Sequence, residues 1–328
     1  MKIAVTGANG HLGNVICRLL IESGFEVNAL ERKESVALQG LKLNHFIGDL
    51  GNLESLEKFM HGCDYLIHSA GVISINGDMN GLVQSTNIQG TQNVLDTAIK
   101  MGLKKVIHIS SVHALVPPNH NKPMSENHPY KSEKDYAYDY SKAQGEKIML
   151  SAFREKQIEG CVIRPSLIAG PFDFKPSEMG KALIDYKNEK IPVIPPGGFD
   201  FVDVRDVARA TISAIENGRN GEAYMIAGQF LSMKQLSLYI KEAVGVKVPK
   251  KVLPFWVLKM SLPFVRLISK LKGAAPIFTM ETIDALKYGH PNIVTSKAKE
   301  DLNYRSIAAL EILKDFYEWY DNHVNNRI

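Results

Sequence analysis

Residues 1–20 read MKIAVTGANGHLGNVICRLL: a strand-like apolar run, then three glycines, then an apolar stretch with helical spacing. Glycines between a strand and a helix let the backbone approach a phosphate closely. Gly7 suits the tight turn, Gly10 the approach to a pyrophosphate, and Gly13 the close packing of helix on strand. The first turn of the helix then offers free N–H groups and a partial positive charge. The stretch predicts a phosphate-binding loop, although such a loop taken alone can also be a simple turn.

Strand-like and helical patterns go on alternating to about residue 165. The strand-like runs are KIAVTG, EVNALE, NHFIG, DYLIHSAG, KKVIHIS and GCVIRP. Most are continuously apolar, as expected where helices cover both faces of a parallel sheet. We therefore predict an α/β fold with a Rossmann-type, doubly wound parallel sheet. After Pro165 the elements become less regular, so we expect a dinucleotide-binding domain over 1–165 and a smaller C-terminal substrate-binding part over 166–328, with some segments returning to the sheet.

Composition argues against several classes of protein. With 328 residues and 45% hydrophobic content the chain can bury a large core. The formal charge of +4 is mild and the basic residues are scattered among acids, so we expect no nucleic-acid partner. Cys17, Cys63 and Cys161 are far apart, which indicates neither a disulfide framework nor a metal site. Without a basic leader or a window of ~20 apolar residues, we expect a cytoplasmic protein with no transmembrane segment.

Six short motifs follow one another in a characteristic order: TGANGHLG, GDL, HSAG, NIQGT, HISS and YDYSK. In order and content they resemble the extended short-chain dehydrogenase/reductase superfamily, the NAD-dependent epimerase/dehydratase family. The resemblance covers nearly the whole chain and implies an enzyme that uses NAD or NADP. The cofactor contacts expected from the loop and from this resemblance are Gly7, Asn9, Gly10, His11, Leu12, Gly13, Glu31, Arg32, Asp49, Leu50, Ser69, Ala70, Gly71, Asn87, Tyr138, Lys142 and Pro165.

The end of the second strand bears on the choice between NAD and NADP. Glu31 there would accept hydrogen bonds from the ribose 2′-hydroxyl of NAD and repel a 2′-phosphate. Arg32 favours the opposite choice, because NADP-preferring reductases of the family commonly hold the phosphate with an arginine near this point. A solvated charge pair is the alternative role for both residues. We favour NAD.

Three further polar residues have open roles. By resemblance Asp49 would contact the adenine amino group; otherwise it would cap the next helix or form a turn. His68 follows an apolar strand with no acidic partner nearby in the sequence, so we interpret it as structural. Asn87 either positions the active site or caps the helix that follows it.

The segment EKDYAYDYSKAQGEK holds three tyrosines, but only Tyr138 has a lysine, Lys142, four residues later. Residues four apart share one face of a helix, whereas Tyr140 would point to roughly the opposite side. A tyrosine titrates near ~10, and a neighbouring ammonium lowers its pKa. Tyr138 would then act as the general acid or base of carbonyl reduction or alcohol oxidation. By resemblance Lys142 would also hold the nicotinamide ribose.

A serine is expected beside this pair. Ser111 ends the apolar run KKVIHISS, where the C-terminal ends of parallel strands bind ligands in open α/β sheets. Its hydroxyl would bind the substrate oxygen and stabilise the charge that develops there. Ser110 is the competitor, and the family pattern favours the second serine. The resemblance thus implies a catalytic set of Ser111, Tyr138 and Lys142.

Two positions bear on the reaction. Val112 and His113 follow the catalytic serine where dehydratases of the family carry an acidic pair, which argues against dehydration. Phe199 stands where nucleotide-sugar enzymes of the family carry an arginine for the diphosphate, and phenylalanine donates no hydrogen bond. Arg205 could replace that arginine unless it pairs with neighbouring aspartates.

The stretch RPSLIAGPFDF resembles dihydroflavonol-reductase-like and 3β-hydroxysteroid-dehydrogenase-like enzymes, whose substrates are apolar. We therefore expect an oxidoreductase that transfers hydride between nicotinamide and a mostly apolar ketone, aldehyde or secondary alcohol. A nucleotide-sugar epimerase is the alternative. A protein that only senses the cofactor and has no activity would be expected to lack the catalytic serine, tyrosine or lysine, and all three are present.

Two expectations concern surfaces. The segment 253–278 is apolar with interspersed lysine and arginine, and it forms either a pair of packed helices, a lid and pocket wall, or a membrane-surface face. Family members often dimerise through the helices that carry N-x-x-G-T and Y-x-x-x-K, so the resemblance implies a homodimer.

Overall fold

The computed structural model describes residues 1–272 and 279–325. The strands found there are β1 (Lys2–Thr6), β2 (Glu26–Glu31), β3 (Asn44–Ile47), β4 (Tyr65–His68), β5 (Lys105–Ile109), β6 (Glu159–Pro165), β7 (Leu167–Ala169), β8 (Gly198–Asp203), β9 (Ala223–Ile226) and β10 (Gln229–Ser232). The α-helices are α1 (His11–Glu22), α2 (Leu53–Met60), α3 (Leu82–Gln84), α4 (Gly90–Lys100), α5 (Ala137–Arg154), α6 (Glu178–Lys187), α7 (Val204–Asn217), α8 (Met233–Val244), α9 (Phe255–Lys272), α10 (Met280–Tyr288), α11 (Ser296–Leu302) and α12 (Ala309–Asn325).

Seven strands form one parallel sheet in the order β3-β2-β1-β4-β5-β6-β9. Strand β1 pairs with β2 on one side, from Lys2 opposite Glu26 to Thr6 opposite Leu30, and with β4 on the other. The strand order therefore reverses between β1 and β4, and the crevice at such a reversal is where these sheets bind ligands. The predicted α/β class and doubly wound parallel sheet are confirmed, and the six predicted strands are β1 to β6.

Helices cover both faces of this sheet. On one face α1 packs against α7, and their apolar residues, such as Val15, Ile16 and Val207, share a buried cluster with the strands. On the other face lie α2, α4 and α5, which contribute Phe59 and Phe153 to a second cluster. Both α7 and β9 come after Pro165, so part of the second half of the chain completes the first sheet.

A smaller layer lies beyond the central sheet. Here β8 pairs with β10 in antiparallel and with β7 in parallel orientation. The helices α6, α8 and α12 pack on this sheet through an apolar cluster that includes Leu183, Leu236 and Phe316. The predicted division at residue 165 falls between β6 and β7, and it stays a prediction because α7 and β9 return across it.

The apolar segment 253–278 includes α9. Within the described residues the segment supplies one helix and not the expected pair: Leu258 and Leu262 of α9 pack against Ile283 of α10, which lies outside the segment. Residues 273–278 of the segment lie outside the described residues. Within the described part of the chain, none of the helices combines the length and the apolarity needed to cross a membrane.

Candidate active site

The glycine loop leaves no room for side chains. Gly7 has a φ of +67°, and a Cβ there would lie 2.7 Å from the backbone of Ala70. A Cβ on Gly13 would lie 2.1 Å from the carbonyl oxygen of Gly7. Helix α1 starts directly after Gly10, so the N–H groups of its first turn have no acceptor within the helix. The loop and these amides together fit a pyrophosphate.

The other predicted residues of this loop have different surroundings. Leu12 belongs to the buried core, so only its backbone is available to a cofactor. Asn9 is half-buried, and His11 makes a hydrogen bond from Nε2 to the carbonyl oxygen of Pro171 at 2.9 Å. The side chain of Asn14 donates to the carbonyl oxygens of Gly10 at 2.8 Å and of the loop after β7 at 3.1 Å. The substrate-side loop is thereby fastened to the phosphate loop.

Glu31 ends β2 with a fully buried side chain. Its Oε1 accepts from His45 Nδ1 at 2.7 Å, whereas Oε2 is buried and has no hydrogen-bond partner among the described residues. Burying a carboxylate oxygen without a donor is costly, so this atom suits a hydroxyl donor such as a ribose. The neighbouring Arg32 is exposed.

Asp49 and Leu50 follow β3. Asp49 is exposed, and its Oδ1 accepts from the backbone N–H of Gly51 at 2.8 Å, in a turn. The cap of α2 is Asn52, whose side chain accepts from Ser55 N, so the alternative that Asp49 caps this helix is wrong. Asn52 caps the helix because it stands directly before the first helical residue, Leu53. Leu50 is buried.

The end of β4 is held by His68. Its Nδ1 lies 2.7 Å from Thr6 Oγ1 and its Nε2 lies 3.1 Å from Thr91 Oγ1. The same Thr6 hydroxyl accepts from the backbone N–H of Ala70 at 3.2 Å. Burial, with a smaller effect of the Lys142 charge, lowers the pKa of His68 to about 3. A neutral imidazole that ties two strands to a helix agrees with a structural role.

Asn87 lies in a π-helical turn, Ser85–Gln89, and not at the cap of α4. Its Oδ1 accepts from Val72 N at 2.7 Å, and its Nδ2 donates to Val72 O and to Ser141 Oγ, both at 2.9 Å. Asn87 therefore fixes the backbone after β4 to α5. The adjacent backbone, Ser69 to Gly71, is partly exposed. The space beside it is limited, because a Cβ on Gly71 would lie 3.3 Å from Asn87 Oδ1.

Ser111, Tyr138 and Lys142 meet at the C-terminal end of β5. The Ser111 hydroxyl hydrogen-bonds with the Tyr138 phenol, and it also accepts from His113 N at 3.1 Å. Lys142 Nζ donates to the carbonyl oxygen of Ile109 at 2.7 Å. Tyr138 and Lys142 both lie in the first two turns of α5, as their spacing predicts. Pro165, the last predicted cofactor contact, ends the adjacent strand β6.

The expectation that a neighbouring ammonium lowers the pKa of Tyr138 is wrong for the protein without a bound cofactor. Burial raises the pKa of Tyr138 to about 12, although the hydrogen bond with Ser111 acts in the opposite direction. Burial also lowers the pKa of Lys142 to about 8, against the attraction of the Glu146 charge. The Lys142 ammonium donates its hydrogen bond to the Ile109 carbonyl oxygen. Desolvation of the Tyr138 phenol is the largest effect on its pKa and sets the direction of the shift.

The neighbouring serine and tyrosines have other surroundings. Ser110 is buried with a hydroxyl that lacks a hydrogen-bond partner among the described residues. The Tyr136 hydroxyl donates to Asp284 Oδ2 of α10 at 2.7 Å. Ser111 and Tyr138 are the serine and the tyrosine whose hydroxyls interact with each other.

Two polar pairs near the site were missed in the sequence. Asp139 lies 3.2 Å from His113, and this contact outweighs burial and raises the pKa of the imidazole. Glu146 forms a buried ion pair with Arg164 of β6. Glu146 stands four residues after Lys142, so the helical stripe of the catalytic residues was a usable signal; the 26-residue separation of the first pair left none.

Phe199 and Arg205 are the two residues that the sequence connected with binding of a substrate diphosphate. Phe199 is half-buried and packs against the apolar cluster of the smaller layer. Arg205 bonds to Asp203 at 2.7 Å and to Asp315 at 2.5 Å, and these bonds raise its pKa despite partial burial. Arg205 is thus held by two carboxylates, as expected for the alternative in which it pairs with aspartates.

Comparison with known proteins shows the family and the fold of this chain. The model of the NAD dependent epimerase/dehydratase family matches residues 3–227. Sterol demethylase protein B of Methylococcus capsulatus is 32% identical over 260 residues, 77% of this chain and 78% of that protein. A putative dihydroflavonol 4-reductase of Synechocystis is 29% identical over 331 residues, 97% of this chain and 94% of that protein. The solved UDP-glucose 4-epimerase of Thermotoga maritima has a TM-score of 0.82 and covers 99% of this chain and 100% of its own, but at 22% identity the likeness shows the fold alone.

Proposed function

Because the chain belongs to the NAD-dependent epimerase/dehydratase family, whose cofactor is NAD or NADP, we propose that it is an oxidoreductase acting on an apolar ketone, aldehyde or secondary alcohol. The observation that carries this proposal is the meeting of Ser111, Tyr138 and Lys142 at the C-terminal end of β5. When bound, the nicotinamide supplies or accepts the hydride at its ring C4. The protein supplies the proton and the charge stabilisation.

Tyr138 is the proton donor of the reductive direction. With a pKa of about 12 the phenol keeps its proton at neutral pH, and it can pass that proton to a substrate alkoxide, which is a stronger base. The Ser111 hydroxyl, in contact with the same phenol, donates a hydrogen bond to the substrate oxygen. Lys142, with a pKa of about 8, is mostly an ammonium at neutral pH and holds the ribose hydroxyls by analogy with the family.

NAD is the preferred cofactor in this proposal. The buried Oε2 of Glu31 has no donor among the described residues, so a ribose hydroxyl would satisfy it. A 2′-phosphate would instead bring two further negative charges to a buried carboxylate. The exposed Arg32 and Lys33, which follow Glu31 directly, are the neighbours in sequence that could offset this repulsion.

An apolar substrate is supported by the residues that would meet a diphosphate. Phe199 offers no donor and Arg205 is held by Asp203 and Asp315. The names of the two relatives described above, a sterol demethylase protein and a dihydroflavonol reductase, both refer to ring systems with large apolar area. We therefore propose polycyclic or aromatic ketones as the first substrates to test.

The catalytic assignment is tested with Tyr138→Phe and the matched variant Tyr140→Phe, which removes the same hydroxyl two residues away. With NADH and a steroid ketone, we expect kcat to fall by about 10²–10⁴-fold for Tyr138→Phe and to stay unchanged for Tyr140→Phe. An unchanged circular dichroism spectrum shows that the first variant is folded. Equal turnover by Tyr138→Phe and the unmodified protein would refute the assignment.

The alternative, a nucleotide-sugar epimerase, is tested by thermal stability. A ligand that binds only the folded protein raises its melting temperature. We expect steroid or flavonoid ketones to raise it in the presence of NADH, and UDP or TDP to leave it unchanged. Stabilisation by UDP or TDP alone would favour the epimerase.

A further inference from the structure

Helix α9 carries an outward-facing apolar stripe. Trp256, Met260 and Phe264 are spaced four residues apart, so they share one face of the helix. Their exposed fractions are 65%, 67% and 69%. The opposite face is buried, because Leu258 and Leu262 pack toward α10. An exposed patch of three large apolar side chains on a folded protein marks a surface that binds something.

The same part of the chain concentrates positive charge. From residue 243 to residue 280 the sequence contains seven lysines and arginines and neither aspartate nor glutamate, whereas the whole chain has 39 basic and 35 acidic residues. The mild overall charge therefore hides a local excess, and outside this segment acids outnumber bases. Lys250 and Lys251 precede α9 and are exposed.

We propose that α9 lies on the surface of an anionic phospholipid membrane. Trp256, Met260 and Phe264 would enter the region between headgroups and acyl chains, as apolar faces of interfacial helices do. Lys250 and Lys251 would contact the lipid phosphates. The helix lies on the membrane and does not cross it: its other face is committed to α10, and Pro263 interrupts its backbone hydrogen bonding.

A second copy of the chain is the other occupant to consider for this stripe. Two copies that met through α9 would bring two segments of seven basic residues together, with no acidic residue within either segment. Anionic lipid complements that charge, and like charges oppose self-association. The observations therefore favour the membrane.

Contacts connect this face to the catalytic helix. Lys259 of α9 lies 3.6 Å from Asp284 of α10, and Asp284 accepts the hydrogen bond of Tyr136, two residues before the catalytic tyrosine. The Thr279 hydroxyl, just before α10, donates to Ile75 O at 2.8 Å. Membrane contact would thus bring the active site close to apolar compounds dissolved in the bilayer; this last step alone rests on the proposed function.

The test is cosedimentation of the full chain with vesicles of phosphatidylglycerol and phosphatidylcholine, compared with vesicles of phosphatidylcholine alone. We expect binding to the anionic vesicles that weakens steeply between 0.1 M and 1 M salt, because the screening length shortens from about 10 Å to 3 Å. The variant Lys250→Gln/Lys251→Gln should bind about fivefold more weakly for each lysine removed. Equal binding to both kinds of vesicle, or no binding, would overturn the proposal.

The apolar stripe is tested with Trp256→Ser/Met260→Ser/Phe264→Ser. The matched control changes three separate exposed residues, Ile47, Leu53 and Leu238, to serine, with exposed fractions of 57%, 51% and 53%. We expect the stripe variant to lose vesicle binding and the control to keep it, while both retain NADH affinity. If the two variants bind alike, or if the stripe variant converts a dimer into a monomer in light scattering, the membrane assignment is wrong. Vesicle binding requires no turnover, so its failure is distinct from failure of the proposed activity.

Discussion

A buried ion pair holds the catalytic helix to the sheet. Arg164 of β6 donates from Nε to both carboxylate oxygens of Glu146, at 3.0 Å each. The Tyr130 hydroxyl donates to the same carboxylate at 2.7 Å, and it also accepts from the guanidinium at 3.2 Å. The side chains of Arg164 and Glu146 are 3% and 0% exposed. Glu146 lies one turn beyond Lys142, so this pair bears directly on the placement of the site.

Glu146→Gln removes the negative charge with little change of shape. The guanidinium of Arg164 then stays buried without its counter-charge, and breaking a buried pair in this way costs about 3–5 kcal/mol. The Tyr130 hydroxyl keeps an acceptor, because the glutamine amide has a carbonyl oxygen. Since folded proteins are stable by about 5–15 kcal/mol, we expect the free energy of unfolding to fall by about a fifth or more.

The assay is urea-induced unfolding followed by circular dichroism, with Glu54→Gln as the matched control. Glu54 pairs with Lys58 at 2.6 Å, but these side chains are 77% and 69% exposed, so water and salt screen their attraction. We expect no measurable change for the control. The reasoning would be refuted if the two substitutions changed the free energy of unfolding equally, or if Glu146→Gln changed it by less than about 1 kcal/mol.

Two further predictions concern the crevice. Gly7→Ala should abolish NADH binding, because its Cβ would overlap the backbone of Ala70. The control Gly102→Ala has a similar φ of +69° and nothing within 4 Å of its Cβ, so it should cost only about 1–2 kcal/mol of stability and leave NADH binding intact. If isothermal titration finds NADH binding equally impaired in both variants, the steric argument is contradicted. Folding lowers the pKa of His68 from 6.5 to about 3. Between these pH values the unfolded chain binds one proton more than the folded protein, so the free energy of unfolding decreases as pH falls, by about 1.4 kcal/mol per pH unit. His68→Asn should reduce that slope in urea unfolding series between pH 7 and pH 4, and an unchanged slope would contradict the buried neutral imidazole.

The sequence predicted those parts of the molecule that local patterns encode. Most of the strands β1 to β6 are continuous apolar runs, and helical spacing alone places Tyr138 and Lys142 one turn apart in α5. Strand β9 is only four residues long and joins the sheet from a distant part of the chain, so no local pattern indicated it. The pKa of Tyr138 could not be predicted either, because it depends on burial by elements that the spacing does not identify. For the same reason the partners of Arg205 remained open, since Asp315 is 110 residues away.

The positions of the arginines and lysines separate binding of the cofactor from recognition of the substrate. A nucleotide-sugar enzyme needs a free cation on the substrate side of the crevice, where this chain has Phe199 and the doubly paired Arg205. The positive charge in excess lies instead in the sequence of residues 243–280, which also contains the exposed apolar face of α9. A cation used on a soluble diphosphate belongs inside a pocket, whereas cations around an apolar stripe suit an extended anionic surface. The same distribution of charge therefore supports both an apolar substrate and a membrane from which such a substrate is drawn.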